Sequence, residues 1–121
     1  MNRPVVRIAA QAQIDIADTL RFTQMRLGES VNGRYKDLLQ ATFQSLADDP
    51  LHIDSTLRDD ISSGLRSLHL GFHVLKMTDG RIIRPRHIVF YRTGENQVVE
   101  ILRILHDAME VSQHLKQLLK Q

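Results

Sequence analysis

The segment from Arg86 to Leu115 constrains the fold more than any other part of the chain. It begins with the run His87–Arg92, which predicts a strand, and polar residues at 94–96 then predict a tight turn. The run Gln97–Leu105 is apolar on both faces, as a central strand requires. From Asp107 the apolar spacing becomes helical, so this segment predicts two paired strands followed by a C-terminal helix.

Two helices are predicted before this segment, joined at Gly28, a common helix stop. In the first helix the apolar residues lie on two sides, Ile16, Leu20 and Leu27 on one and Ile14, Phe22 and Met25 on the other. Two apolar sides predict a helix covered by more than one neighbour. The second helix starts at Glu29 and carries one apolar stripe from Val31 to Leu46. A junction this short predicts an antiparallel helical hairpin.

The remaining segments predict further strands. Val5–Ala9 is short and β-branched, as in a strand, whereas residues 50–64 indicate a polar loop. Leu65–Leu70 alternates as a strand does, and the turn residues Thr78 to Gly80 predict a further hairpin. The expected fold is therefore α+β, as a single domain over residues 1–121. It has an N-terminal strand, an antiparallel helical hairpin on one face of a mostly antiparallel sheet, and a C-terminal helix.

Composition narrows the function classes. The chain has no cysteine, which excludes a disulfide framework and a thiolate nucleophile or metal ligand. No apolar run approaches membrane-spanning length, so no membrane partner is expected and the expected compartment is the cytoplasm. Residues 61–106 hold 7 Lys and Arg against 3 Asp and Glu, whereas residues 1–60 hold 7 against 9. This asymmetry indicates either an anionic partner, nucleic acid or acidic protein, or an ordinary mixed surface.

Several motifs in this order resemble the ParE branch of the ParE/RelE toxin superfamily. They are VVRIAAQAQIDIADTLRFTQMRLG at the start, GLRS at residues 64–67, HIVFYR at residues 87–92 and VVEILRILHDAMEVSQHL at the end. The hairpin around Thr78 to Gly80 is an addition to this pattern. The resemblance implies a small toxin of a type II toxin–antitoxin module, of the kind associated with plasmid stabilisation, in a hetero-oligomer with its antitoxin. ParE relatives inhibit DNA gyrase, whereas RelE relatives cleave messenger RNA on the ribosome.

A RelE-like, metal-independent ribonuclease needs a base, an acid and a positive charge at the scissile phosphate. The residues that suit these roles are Arg66, His87 and His106. The set looks incomplete, because Leu105 stands where cleaving relatives carry a polar side chain. The chain is therefore expected to act as a binding protein, with the nuclease as one alternative and a harmless, degenerate interaction module as another. No cofactor is expected, and none of the six histidines shows metal-ligand spacing with a carboxylate.

Two sets of binding residues are predicted. Target contacts are assigned to Arg66, Arg86, Tyr91 and Arg103, and antitoxin contacts to Tyr35, Leu39, Val111, Leu115 and Leu118. Each set has a structural alternative. Arg66 and Arg103 are expected to pair with acidic residues of the helices if they do not bind a target. Tyr91 would then be a packing residue, His87 and His106 hydrogen-bonded structural residues, and the C-terminal stripe would pack on the protein's own sheet.

Overall fold

A computed structural model describes residues 5–109, 111 and 113–115. The secondary structure elements are β1 (Val6–Ile8), α1 (Ala10–Leu27), α2 (Glu29–Asp48), β2 (Thr56–Leu57), β3 (Arg66–His69), β4 (Leu75–Lys76), β5 (Ile82–Ile83), β6 (His87–Thr93) and β7 (Val99–His106). Residues 111 and 113–115 are helical and follow β7. This order confirms the predicted α+β fold. Among the described residues, no helix combines the length and the apolar character needed to cross a membrane.

Five strands form the main sheet in the order β1-β7-β6-β3-β2. Strand β1 runs parallel to β7, and the other neighbours are antiparallel. The central position of β7 confirms the prediction from its two apolar faces. One irregularity interrupts the β6–β7 pair: Phe90 lies opposite Arg103 and Tyr91 opposite Ile101, so Leu102 has no partner. Such a bulge bends the strand locally.

The helical hairpin turns at Gly28, whose φ of 94° lies in the left-handed region that favours glycine. Its N–H donates to the carbonyl of Gln24 and closes α1. Helix α2 buries its stripe against the sheet, in a core cluster that includes Tyr35, Leu39, Phe43, Leu46, Leu68, Val89, Tyr91 and Ile101. Each large side chain buried there contributes about 1.5–3 kcal/mol to folding. This burial holds the hairpin on one face of the sheet, as predicted.

The opposite face of the sheet carries a second core cluster. It consists of Leu65, Phe90, Leu102, Leu105 and Leu115, with Ile61, Ile88 and Val111 packed against it. The C-terminal helical residues therefore cover the back of the sheet. The structural alternative for the C-terminal stripe is correct for Leu115, which is fully buried.

Three local features differ from, or add to, the predictions. Strand β2 lies within the segment that the sequence indicates as a polar loop. The hairpin at Thr78 to Gly80 is confirmed, but β4 and β5 form a separate two-stranded sheet. Arg81 fastens this small sheet to the helical hairpin, because its Nη1 donates to the carbonyl of Leu27 at 2.8 Å. The outer side of α1 is not covered: Ile14, Phe22 and Met25 are 53%, 58% and 80% exposed.

Candidate functional site

A polar cluster forms at one end of the strands of the sheet, where β3 and β7 end and β6 begins. Strand pairing sets it up, because His87 lies directly opposite His106 and His69 lies opposite Ile88. The histidine cluster, as we name it, consists of Tyr35, His69, Arg86, His87, His106 and Asp107. Tyr35 reaches it from α2, and the other five come from the strand ends.

Asp107 is the charged centre of this cluster. Arg86 donates to its Oδ1 from Nε at 3.1 Å and from Nη2 at 2.8 Å. His69 accepts the N–H of Gly71 at Nδ1, so its proton lies on Nε2, which donates to Asp107 Oδ2 at 3.0 Å. The hydrogen bonds from Arg86 and then His69 hold the pKa of Asp107 below its usual value. Asp107 therefore stays ionised and holds Arg86 beside the histidines.

His87 is half-buried and contacts two other members of the cluster. Its Nδ1 shares a hydrogen bond of 2.6 Å with Tyr35 Oη, and its ring meets that of His106 edge to face at 5.3 Å. Burial, and then the nearby charge of His106, lowers the pKa of His87 to about 4. Burial, and then Asp107, raises the pKa of Tyr35. Both groups are neutral at pH 7, and a histidine with so low a pKa is a weak general base there.

Arg66 lies away from the histidine cluster. It is paired with Tyr91 in the β3–β6 register, whereas His69, three residues further and roughly 10 Å along the strand, is at the cluster. Its Nε and Nη2 donate to Ser55 Oγ at 3.1 and 2.9 Å, so the expected pairing with an acidic residue is also wrong. Of the predicted trio, His87 and His106 are therefore in contact, whereas Arg66 lies apart from them.

Two further predicted target residues serve the fold instead. Tyr91 is fully buried, and its hydroxyl donates to the carbonyl of Pro50 at 2.6 Å. Arg103 donates to both carboxylate oxygens of Asp15 on α1, at 2.8 and 3.1 Å. These contacts match the structural alternatives for Tyr91 and Arg103, and contact of either residue with a target stays a prediction. Of the predicted target residues only Arg86 is largely exposed, with 62% of its side chain accessible.

The geometry does not complete a ribonuclease site. Arg86 and Arg103 lie near the two histidines, and Asp107 and Asp15 already neutralise them. Leu105, at the position where a RelE-like ribonuclease is expected to carry a polar side chain, lies in the second core cluster. Within the described part of the chain, no three His, Asp or Glu side chains are grouped to hold a metal ion. The cluster is a well-connected hydrogen-bond network, in which Arg86, His106 and His69 are partly exposed to solvent.

The predicted antitoxin residues do not form an exposed face. Tyr35 and Leu39 are 3% and 2% exposed, and Leu115 is fully buried. Val111 is half-buried against the second core cluster, and Leu118 lies outside the described residues. Tyr35, Leu39 and Leu115 fill the protein's own core, so their contact with an antitoxin stays a prediction that the exposed surface does not support. The sequence pattern of α1 predicts that both apolar sides are covered, and this prediction is wrong for the side that carries Ile14, Phe22 and Met25.

Comparisons with known proteins agree with this fold and cover nearly the whole chain. Residues 6–111 match the model of the ParE toxin of the type II toxin–antitoxin system parDE. Toxin ParE1 of Caulobacter vibrioides is 28% identical over 109 residues, spanning 90% of this chain and 95% of that protein. A solved structure of a chromosomal ParDE system from P. aeruginosa superposes with a TM-score of 0.61 at 13% identity, covering 86% and 96% of the two chains. The chain belongs to the ParE toxin family of type II toxin–antitoxin systems.

Proposed function

We propose that this ParE-type toxin inhibits DNA gyrase by binding to it and is neutralised by direct contact with a cognate antitoxin. The observation that supports binding over catalysis is the separation of Arg66 from the two histidines. Arg66 is held by Ser55, Arg103 is held by Asp15, and Asp107 neutralises Arg86. Two of these guanidinium groups are neutralised by carboxylates, and the third, that of Arg66, lies too far from the histidines to stabilise a phosphate cleaved there. Gyrase and antitoxin are cytoplasmic partners, so the proposal places the action in the cytoplasm.

The exposed side of α1 is the antitoxin-binding surface in this proposal. Ile14, Phe22 and Met25 follow helical spacing along one side of α1 and are mostly exposed. Arg21, which pairs with Asp18 at 3.6 Å, and Arg26, which lies over the ring of Phe22 at 5.4 Å from its centre, flank them and leave a net positive charge. An apolar stripe with basic flanks suits an amphipathic helix whose flanks are acidic. An antitoxin helix of this kind would bury the side of α1 that the toxin alone leaves in water.

The test of the target compares two reactions with the purified chain. DNA supercoiling by purified gyrase should fall as the chain is added and recover when antitoxin is present. Messenger RNA on purified ribosomes should stay intact under the same conditions. Unaltered supercoiling with no DNA cleavage product would refute gyrase as the target. A chain that also fails to arrest growth on induction would instead support a harmless interaction module.

The ribonuclease remains a second candidate because His87 and His106 do meet, with Arg86 nearby. In that case His106, which is partly open to solvent, is the group placed to exchange a proton. The nuclease hypothesis predicts ribosome-dependent cleavage that His106→Ala abolishes. Cleavage that survives this substitution would exclude the histidine cluster as its site.

A further inference from the structure

The loop from Pro50 to Leu57 presents large apolar side chains to water on a fixed backbone. Leu51 is 72% exposed, Ile53 is 91% exposed and Leu57, on the edge strand β2, is 50% exposed. They lie within one short segment, and Leu51 also lines an open depression of about 510 Å³ together with Ala47, Pro50, Thr93 and Gln97. Grouped exposed apolar side chains of this kind mark interaction sites.

The loop holds its shape through hydrogen bonds that leave these side chains outside. The carbonyl of Pro50 accepts from the buried hydroxyl of Tyr91, and the N–H of His52 donates to the carbonyl of Asp49. His52 in turn accepts the N–H of Asp54 at Nδ1 and the N–H of Ser55 at its carbonyl. The polar residue His52 therefore lies inward, beside α2, while its apolar neighbours face water. This reverses the usual partition of apolar and polar side chains.

The charge around the loop limits what can dock there. Residues 48–60 contain five aspartates against one arginine. Asp48 ends α2 and Asp49 follows it, so both carboxylates lie at the negative end of the helix dipole, which is an unfavourable position. The partner that fits an apolar loop with this flank is a basic protein surface that offers apolar pockets. The α1 surface has the opposite flank, so the two surfaces suit different partners.

We infer that the Pro50–Leu57 loop docks into a basic, DNA-facing surface of the toxin's target. The inference rests on the proposed function, since gyrase binds DNA and surfaces that bind DNA phosphates are basic. Leu51 and Ile53 supply the apolar contact, and Asp48 and Asp49 occupy positions where phosphates would otherwise lie. In the proposed function the antitoxin binds the exposed side of α1, so the acidic loop stays free to contact the target.

The test is gyrase inhibition by two matched double variants. Leu51→Ala/Ile53→Ala removes apolar surface from the loop, and Phe72→Ala/Ile82→Ala removes exposed apolar surface that belongs to neither proposed binding surface. We expect the loop variant to need at least about tenfold more protein for half-inhibition, with an unchanged melting temperature. The Phe72→Ala/Ile82→Ala control should inhibit as the wild type does. Duplex DNA added before the toxin should also reduce toxin binding to gyrase.

The outcomes separate this inference from the proposed function. If the wild type does not inhibit gyrase, the proposed target is wrong and the inference fails with it. If the wild type inhibits and the loop variant inhibits equally well, the docking surface is wrong while the target stands. Toxin binding that is indifferent to duplex DNA would overturn the DNA-facing location.

Discussion

The pair between Arg103 and Asp15 offers the most quantitative test of the fold. The side chains are only 11% and 9% exposed, and Asp15 also accepts the N–H of Ile104 at 2.9 Å. Asp15 thereby accepts a backbone N–H of β7 beyond the residues that pair with β1, and it connects α1 to the central strand. Asp15→Ala leaves a buried guanidinium and a buried N–H without their acceptor. Breaking a buried ion pair in this way costs about 3–5 kcal/mol.

The expected change in melting temperature follows from the length of the chain. An unfolding entropy of about 2.1 cal/mol/K per residue gives roughly 0.25 kcal/mol/K for a chain of this size. Asp15→Ala should therefore lower the melting temperature by roughly 12–20 °C. Differential scanning calorimetry measures this directly, and urea unfolding followed by circular dichroism gives the free energy of unfolding.

A double variant supplies the control. Asp15→Leu/Arg103→Met replaces the pair with apolar side chains and should be more stable than Asp15→Ala, because no unpaired charge stays buried. It should not recover fully, since Ile104 still loses its acceptor, at about 1–3 kcal/mol. A loss below about 1 kcal/mol for Asp15→Ala would show that the pair is effectively exposed, in the range of surface ion pairs, and would refute the reasoning.

Three further predictions concern the histidine cluster and the end of α2. The pKa of His87 is lower in the folded chain than in the unfolded one, so the unfolded chain binds the extra proton and stability falls as pH drops from 6.5 towards about 4. The melting temperature of His87→Asn should therefore depend less on pH in this range than that of the wild type. An unchanged dependence on pH would contradict the prediction. Tyr35→Phe leaves His87 Nδ1 without its partner and should cost about 1–3 kcal/mol in urea unfolding; a neutral result would mean that water replaces the hydroxyl. Asp48→Asn/Asp49→Asn should stabilise the fold by about 0.3–1 kcal/mol per charge at low salt while weakening gyrase inhibition, and a destabilised variant would contradict the helix-dipole argument.

Local patterns were sufficient to predict the main elements. Apolar residues on both faces predicted that β7 is central, and Gly28 predicted the junction of the helical hairpin. Strand β2 was not predictable, because Thr56–Leu57 is too short to show any alternation. It forms only because β3 presents an edge with which it pairs.

The sites were harder to predict than the elements, for a physical reason. Periodicity shows that Tyr35 and Leu39 share a side of α2, but it does not show whether a sheet or a partner covers that side. The pairing of Arg103 with Asp15 joins residues far apart in the sequence, so no local spacing reveals it. The histidine cluster depends on the register of three strand ends. The sequence likewise shows the negative charge near the Pro50–Leu57 loop, but only the folded backbone shows that the apolar side chains of the loop are exposed.

The central claim is that this toxin acts by binding gyrase and not by catalysis. The most direct measurement is a titration of purified gyrase with the purified chain, with supercoiling as the readout at several fixed enzyme concentrations. Binding predicts that inhibition is complete at a constant ratio of toxin to gyrase once gyrase is well above the dissociation constant. Supercoiling that persists at every ratio, together with ribosome-dependent cleavage of messenger RNA by the same preparation, would contradict the claim.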